Sequence, residues 1–228
     1  GAIRPWSAFV EAMQAAMAAQ QATGGAGVRI LTPVVTSPTL AGQIQELLTA
    51  YPKAKWHQWE PVARDNALAG AQLAFGGPAE ARYHFDRADV VVSLDGDFLG
   101  TGPGHLRYVR EFSARRRPTG ENAAMSRLYV AESTRSITGT RADHRLPVRA
   151  SDVEGLAWAL AAAIGASGGR AASPGEHQAW VEAVARDLAG HRGRGLGVAG
   201  DHQPPAVHAL AYAMNDVLGN VGTTVTYA

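Results

Sequence analysis

The 228 residues contain no cysteine. That excludes disulfides, thiolate nucleophiles and cysteine-held zinc or iron–sulfur centres within the chain. Charge of one sign is also missing: 21 Lys and Arg stand against 20 Asp and Glu. No broad field therefore draws the protein to nucleic acid or an anionic membrane. No apolar run approaches the ~20 residues needed to cross a bilayer. The Gly-x-Ser-x-Gly elbow, His-Glu-x-x-His and Gly-x-x-x-x-Gly-Lys-Ser/Thr are all absent. The eight His are scattered. None of His84, His105, His144, His202 and His208 forms a metal-binding helical pair, and His202 and His208 read as makers of loop and helix-surface hydrogen bonds. In sum, no acid–base, nucleophile or metal constellation is visible, and the chain is expected to be catalytically inert by itself. It opens Gly-Ala-Ile without an initiator Met. This points to a piece excised from a longer protein, so its lack of a targeting pattern says nothing of the parent.

What is present is alternation. Val90-Val91-Val92 closed by Leu94 reads as a strand buried on both faces. Further strands are expected over 28–35, 54–59, 128–131, 146–148 and 195–199, with a short extended piece at 82–85. Between them lie helical patterns over 6–23, 38–51, 62–75, 105–115, 151–164, 176–188 and 204–218. Trp6, Phe9, Val10, Met13 and Met17 share one face of the first. Leu40, Ile44, Leu47, Leu48 and Tyr51 form the buried stripe of the second. Ser37-Pro38 caps that helix. Ser151-x-x-Glu154 and Ser173-x-x-Glu176 read as capping boxes. Pro118 to Asn122 is a loop, and the glycine-rich 165–173 resembles a linker. No tight hairpin stands out. The expectation is one α/β domain over 1–228, with a parallel sheet flanked by helices on both faces, Rossmann-like and doubly wound.

In such sheets ligands bind beyond the carboxyl ends of the strands. Asp95, Gly96 and Asp97 occupy that position. The two aspartates are either a carboxylate pair or turn formers that bond their own backbone. Gly100-Thr-Gly102-Pro-Gly104 is either a phosphate cradle or a flexible turn. It lacks dinucleotide spacing, and Pro103 removes a donor. Arg115-Arg116-Arg117 suits a helix C-terminus.

Several strand ends together resemble the molybdopterin oxidoreductases. Ala88-Asp-Val-Val-Val-Ser-Leu-Asp-Gly-Asp97 is similar to their strand ending in a Gly-x-Asn loop. Tyr129-Val-Ala-Glu-Ser-Thr-Arg-Ser-Ile-Thr138 is similar to their strand ending in Asp-Pro-Arg with a following Thr. Val148-Arg-Ala-Ser-Asp152 resembles their Pro-Gly-Thr-Asp. The closing run, Val198 to Leu210 and Leu218-Gly-Asn-Val-Gly222, resembles their glycine-rich strand end, helix and Gly-Asn-x-Gly turn. A specialised branch is closer still. Asp97-Phe-Leu, Glu132-Ser-Thr, Thr138-Gly-Thr-Arg-Ala-Asp-His-Arg-Leu146 and Gly200-Asp-His-Gln-Pro-Pro-Ala-Val-His208 resemble the molybdopterin-oxidoreductase-like, iron–sulfur subunits of alternative complex III, a bacterial quinol:electron-acceptor oxidoreductase.

The resemblance implies a domain of that respiratory complex on the periplasmic side of the inner membrane. Its partners would be the other subunits and the parent's own iron–sulfur region. In that branch this half carries no molybdenum cofactor, and the clusters sit in a cysteine-rich region elsewhere. Asp95, Gly96, Asp97, Glu132, Ser133, Thr134, Thr138 and Asp152 then mark a vestigial pocket for the guanosine arm of a molybdopterin guanine dinucleotide. The departures agree: Arg149-Ala150 replaces Pro-Gly, Glu132-Ser-Thr-Arg135 replaces Asp-Pro-Arg, and Asp95-Gly96-Asp97 replaces Gly-x-Asn. Carboxylates facing a pyrophosphate repel it. Asp152 suits either a guanine-reading role, accepting from paired N–H donors, or the dipole of its helix. The alternative is the nucleotide-binding domain of an active molybdopterin oxidoreductase.

Overall fold

The structure is a computed structural model and describes residues 2–117, 124–170 and 172–228. The expected loop over 118–122 and residue 171 of the linker lie outside the described residues. The chain falls into two compact units, Gly1–Ala63 and Arg64–Ala228.

The first unit opens with α1 (Trp6–Gln21), followed by β1 (Arg29–Thr32), α2 (Pro38–Ala50) and β2 (Lys55–Gln58). β1 and β2 pair in parallel, Arg29 opposite Lys55, so α2 is the crossover of a βαβ unit. Ser37 caps α2 as its sequence predicts: its Oγ accepts from Leu40 N at 3.3 Å, and Pro38 takes the first position. The predicted stripe of α2 is only partly covered. Ile44 is its one buried residue, and Leu40 is exposed. α1 buries no residue at all.

The second unit contains α3 (Asp65–Phe75), β3 (Ala81–Tyr83), β4 (Val90–Leu94), α4 (His105–Ala114), β5 (Arg127–Glu132), α5 (Ile137–Thr140), β6 (His144–Pro147), α6 (Val153–Ala163), α7 (Gln178–Gly190), β7 (Gly195–Ala199), α8 (Pro205–Val217) and β8 (Val225–Tyr227). Four strands form a parallel sheet in the order β6-β5-β4-β7. Every residue of β4 and β7 is buried, which explains why both read as continuous small or β-branched runs rather than alternating ones. Val90, Val92 and Leu94 face a core supplied by α6, α7 and α8. Val91, Leu128, Val130, Leu196 and Val198 face Phe85, Phe98 and α4 on the other side. Helices thus cover both faces, and the sheet is Rossmann-like.

Apart from the parallel sheet, β3 pairs antiparallel with the C-terminal β8 in a two-stranded sheet of its own, Ala81 opposite Tyr227. Each partner has three residues, too few for a period, and they lie far apart in sequence. The two capping boxes do not form. A single 3-10 turn, Ala150–Asp152, precedes α6, and Ser151 Oγ donates to Asp152 Oδ1 at 2.8 Å rather than accepting a helix N–H. α7 starts only at Gln178, after a 3-10 turn at Gly175–His177, without a side-chain cap. Finally, His208 is not on a helix surface. It is 4% exposed in α8, with Nε2 unpartnered.

The β7 edge is protected rather than open. Asn215 of α8 accepts from Gly197 N at 2.8 Å and donates to Gly197 O at 2.9 Å. Its amide occupies the place of a neighbouring strand and so blocks edge pairing.

α3 crosses α8 at very close range. A Cβ added at Gly70 would lie 2.4 Å from His208 Cβ and 2.8 Å from Pro205 O. Gly70→Ala is therefore expected to destabilise the protein. Overpacking costs roughly 1–3 kcal/mol, against about 1 kcal/mol gained in helix propensity. Urea unfolding should show the net loss.

The same contact makes stability depend on pH. Burial holds the His208 imidazole below its ordinary value. Asp201 pulls the other way and Arg64 adds to the depression; Tyr212 lies on the same helix. A depressed histidine means that the unfolded chain binds the proton more readily, so stability rises with pH up to the ordinary value near 6.5 and is lost below it. The urea midpoint is expected to fall between pH 7.5 and 5.5, and His208→Leu is expected to flatten that fall. Burial and the nearby Arg87 also depress His84, so a residual slope should persist.

Candidate functional site

The chain leaves β4 toward β5 on one side and returns to β7 on the other. The crevice between the carboxyl ends of β4 and β7 is thus the topological switch point, where open α/β sheets bind ligands. Here it is closed. Gly200, after β7, donates its N–H to Leu94 O at 3.0 Å. A Cβ on Gly200 would lie 2.1 Å from Asp95 O, and one on Gly96 would lie 3.3 Å from Gly200 N. The two loops touch backbone to backbone.

Asp95 ties three strand ends together. Its φ is 55°, the one positive value at a non-glycine residue among the described residues, in a region that Asp tolerates. That turn aims the carboxylate across the loops. Oδ1 accepts from Ser133 N at 3.2 Å, after β5. Oδ2 accepts from Gln203 Nε2 at 3.1 Å and meets His202 Nε2 at 3.0 Å, both after β7. Gly96 is held locally, its N–H on Ser93 Oγ at 3.1 Å.

Asp97 turns toward α5. Its Oδ1 accepts from Thr138 N at 2.9 Å and from Thr138 Oγ1 at 2.8 Å, and Leu99 N donates to that same Oγ1 at 3.0 Å. Asp97 O takes Gly100 N and Thr101 N at 3.0 and 2.9 Å. The start of the glycine-rich loop, Gly100 and Thr101, therefore closes as a turn on Asp97.

Glu132 ends β5 and is 1% exposed. A buried carboxylate needs a cation and its lone pairs filled. Arg145 on β6 supplies the cation through Nε. Ser136 supplies Oγ at 2.6 Å and N at 3.2 Å. Ser136 Oγ also accepts from Gly139 N at 2.9 Å, capping α5. Gly139 is required there: a Cβ would overlap Glu132 Oε1 at 1.7 Å.

The structure thus brings seven of the eight predicted residues to the ends of β4 and β5: Asp95, Gly96, Asp97, Glu132, Ser133, Thr134 and Thr138. Thr134 is exposed. Asp152 is outside that network of hydrogen bonds; it is exposed and shares with Ser133 the lining of a cleft of about 550 Å³, together with Arg149, Glu176 and His177.

Ser136, Arg145 and Gln203 complete the network and carry no role in the sequence reading. Ser136-x-x-Gly139 has the spacing of a cap and could have been found. Gln203 meets Asp95 only through the sheet order and gives no local signal.

Two of the three residues of the basic cluster are ion-paired. Arg115 pairs with Asp89, and Arg116 binds Asp143 through both nitrogens at 2.7 and 2.8 Å. Among the described residues no three His, Asp or Glu side chains converge to hold a metal ion. No helix among them is long and apolar enough to cross a membrane.

No protein-family model matches the chain, and no curated protein does. Solved structures do. The fold is that of part of acetylene hydratase from Pelobacter acetylenicus. The two align with a TM-score of 0.60 at 12% identity, over 99% of this chain and 34% of that one. The likeness is one of fold, and the chain spans about a third of the length of that relative.

Proposed function

We propose that the chain is a molybdopterin-oxidoreductase-like domain that has lost its cofactor and serves as a scaffold in a larger electron-transfer subunit, of the kind found in alternative complex III. In that reading its partners are the parent's iron–sulfur region and the neighbouring subunits, on the periplasmic side of a bacterial inner membrane. The strand-end motifs support the reading as a whole, and the fold shared with part of acetylene hydratase supports its coarser part, the molybdenum-enzyme-like domain.

The observation that carries the reading is what holds the strand-end donors. A dinucleotide pyrophosphate on these ends needs free backbone N–H groups. Ser133, Ser136 and Thr138 give theirs to Asp95, Glu132 and Asp97, and Gly96 gives its own to Ser93. Each acceptor but one is a carboxylate of the chain itself. Those four donors are not open to a pyrophosphate, and the carboxylates that hold three of them would repel one.

The second reading, a guanine-nucleotide domain of an active enzyme, is favoured by one feature: the exposed Asp152 carboxylate beside Arg149 in an open cleft. Calorimetric titration with guanosine diphosphate separates the two. The scaffold reading expects no heat even at millimolar ligand. Micromolar binding abolished by Asp152→Ala would establish the second reading instead.

A further inference from the structure

We propose that α3 is an acid-released clamp: protonation of His208 draws Asp201 away from Arg64, and the first half of α3 lifts off α8 while the four-stranded sheet stays folded. The buried residues of α3 are Ala67, Gly70 and Ala71, and Gly70 sits directly on the His208 side chain. Residues this small remove little apolar area from water, so little holds the helix down. Its polar ties lie at its start. Arg64 Nε donates to Asp201 Oδ1 at 3.3 Å, with a second carboxylate, Glu80, on Nη1. Asn66 Nδ2 donates to His202 O at 3.2 Å. The far end is held differently, by Phe75 against Tyr212 and Tyr227, ring centroids 5.1 and 4.9 Å away. The helix therefore hinges near Phe75 when its first turn lets go.

His208 is where a proton undoes this contact. It is 4% exposed, and its Nε2 is buried without a partner. As a neutral imidazole it leaves one site unmade. As an imidazolium it would bury a charge and an N–H that has no acceptor. The groups around it are Asp201 from the loop after β7, Arg64 at the start of α3 with Glu80 beside it, and Tyr212 one turn on in α8. His202 turns away, its exposed ring on Asp95. Burial holds Tyr212 above its ordinary value, so it stays neutral. Arg64 repels a charged His208 and Asp201 attracts it. Asp201 then has one carboxylate for two cations. Once His208 is charged, Asp201 serves the buried cation, and Arg64 stays on Glu80, whose side chain is 61% exposed. The swap gives α3 two discrete arrangements, and protonation selects between them.

Amide hydrogen exchange of the 228-residue protein at pH 7.5 and 5.5, expressed as protection factors, tests this. Leu68 to Ala71 are expected to be less protected than β4 and to respond more weakly to urea, the sign of an opening smaller than global unfolding. Their protection should fall at least about tenfold between the two pH values, since an imidazole released to its ordinary value near 6.5 takes up a proton in that range. His208→Leu and His208→Gln, which cannot be charged, should each abolish the fall. Asp201→Asn should lower protection already at pH 7.5, because Arg64 loses its anchor. It should also shrink the fall, because the imidazolium loses its acceptor. Leu68 to Ala71 exchanging with the same protection and urea slope as β4 would overturn the proposal. So would a fall that survives in both His208 variants, or an Asp201→Asn protein that behaves like the parent.

Discussion

Arg145→Leu is expected to cost about 3–5 kcal/mol of stability, the usual penalty for leaving a buried ion without its partner. Glu132 cannot escape to water. Its side chain is 2% exposed, while that of Arg145 is 22% exposed. The asymmetry sets a second expectation. Glu132→Gln should cost less than Arg145→Leu, because a freed guanidinium can rehydrate at the β6 edge while a freed carboxylate cannot. Urea unfolding of the two variants measures both. Glu80→Gln serves as the control. It breaks an ion pair with Arg64 whose side chains are 32% and 61% exposed, so it should change stability by less than about 1 kcal/mol. Equal losses in all three would mean that the Glu132 cluster is no more buried than the surface.

Gly200→Ala is the other large effect, with an expected loss of about 3 kcal/mol from overpacking. The clash is with backbone, Asp95 O at 2.1 Å and Asp95 C at 2.8 Å, so no side chain can rotate to relieve it. Relief requires the loops after β4 and β7 to part. Asp95 would then release Ser133 and Gln203, and the switch-point crevice would open. The Ser133 amide resonance should shift along with the loss of stability. Gly155→Ala is the matched control. It lies in α6 with nothing within 4 Å of the added Cβ, so relief of backbone entropy should stabilise the protein by about 0.5–1 kcal/mol. A neutral Gly200→Ala would contradict a closed crevice.

Both predictions concern contacts that sequence pattern reaches only in part. β4 and β7 were legible because both faces are buried and the apolar run has nowhere to alternate. The Asp95-Gly96-Asp97 turn was legible as a strand end, and the motif pairs placed Asp97 and Thr138 near one site. What the aspartates do there was not. Whether a carboxylate faces a ligand or its own loop depends on partners such as Ser133 and Gln203, which the sheet order delivers from distant stretches. The capping boxes failed for a local reason. Ser151 satisfies the neighbouring Asp152, and a 3-10 turn takes the place of the first helical turn. The β3–β8 pair was invisible because three-residue strands carry no period. His208 was misplaced because α8 is buried on two sides, by the sheet and by α3, so a histidine on its second face is also interior.

The central claim is that the strand-end amides belong to the chain's own carboxylates. Amide hydrogen exchange of Ser133, Ser136 and Thr138, with and without millimolar guanosine diphosphate, tests it most directly. The account expects slow exchange at Ser136 and Thr138, intermediate exchange at the exposed Ser133, and no change on adding the nucleotide. Fast exchange at all three that slows when the nucleotide is added would mean that these donors are free for a phosphate, and the scaffold reading would fail.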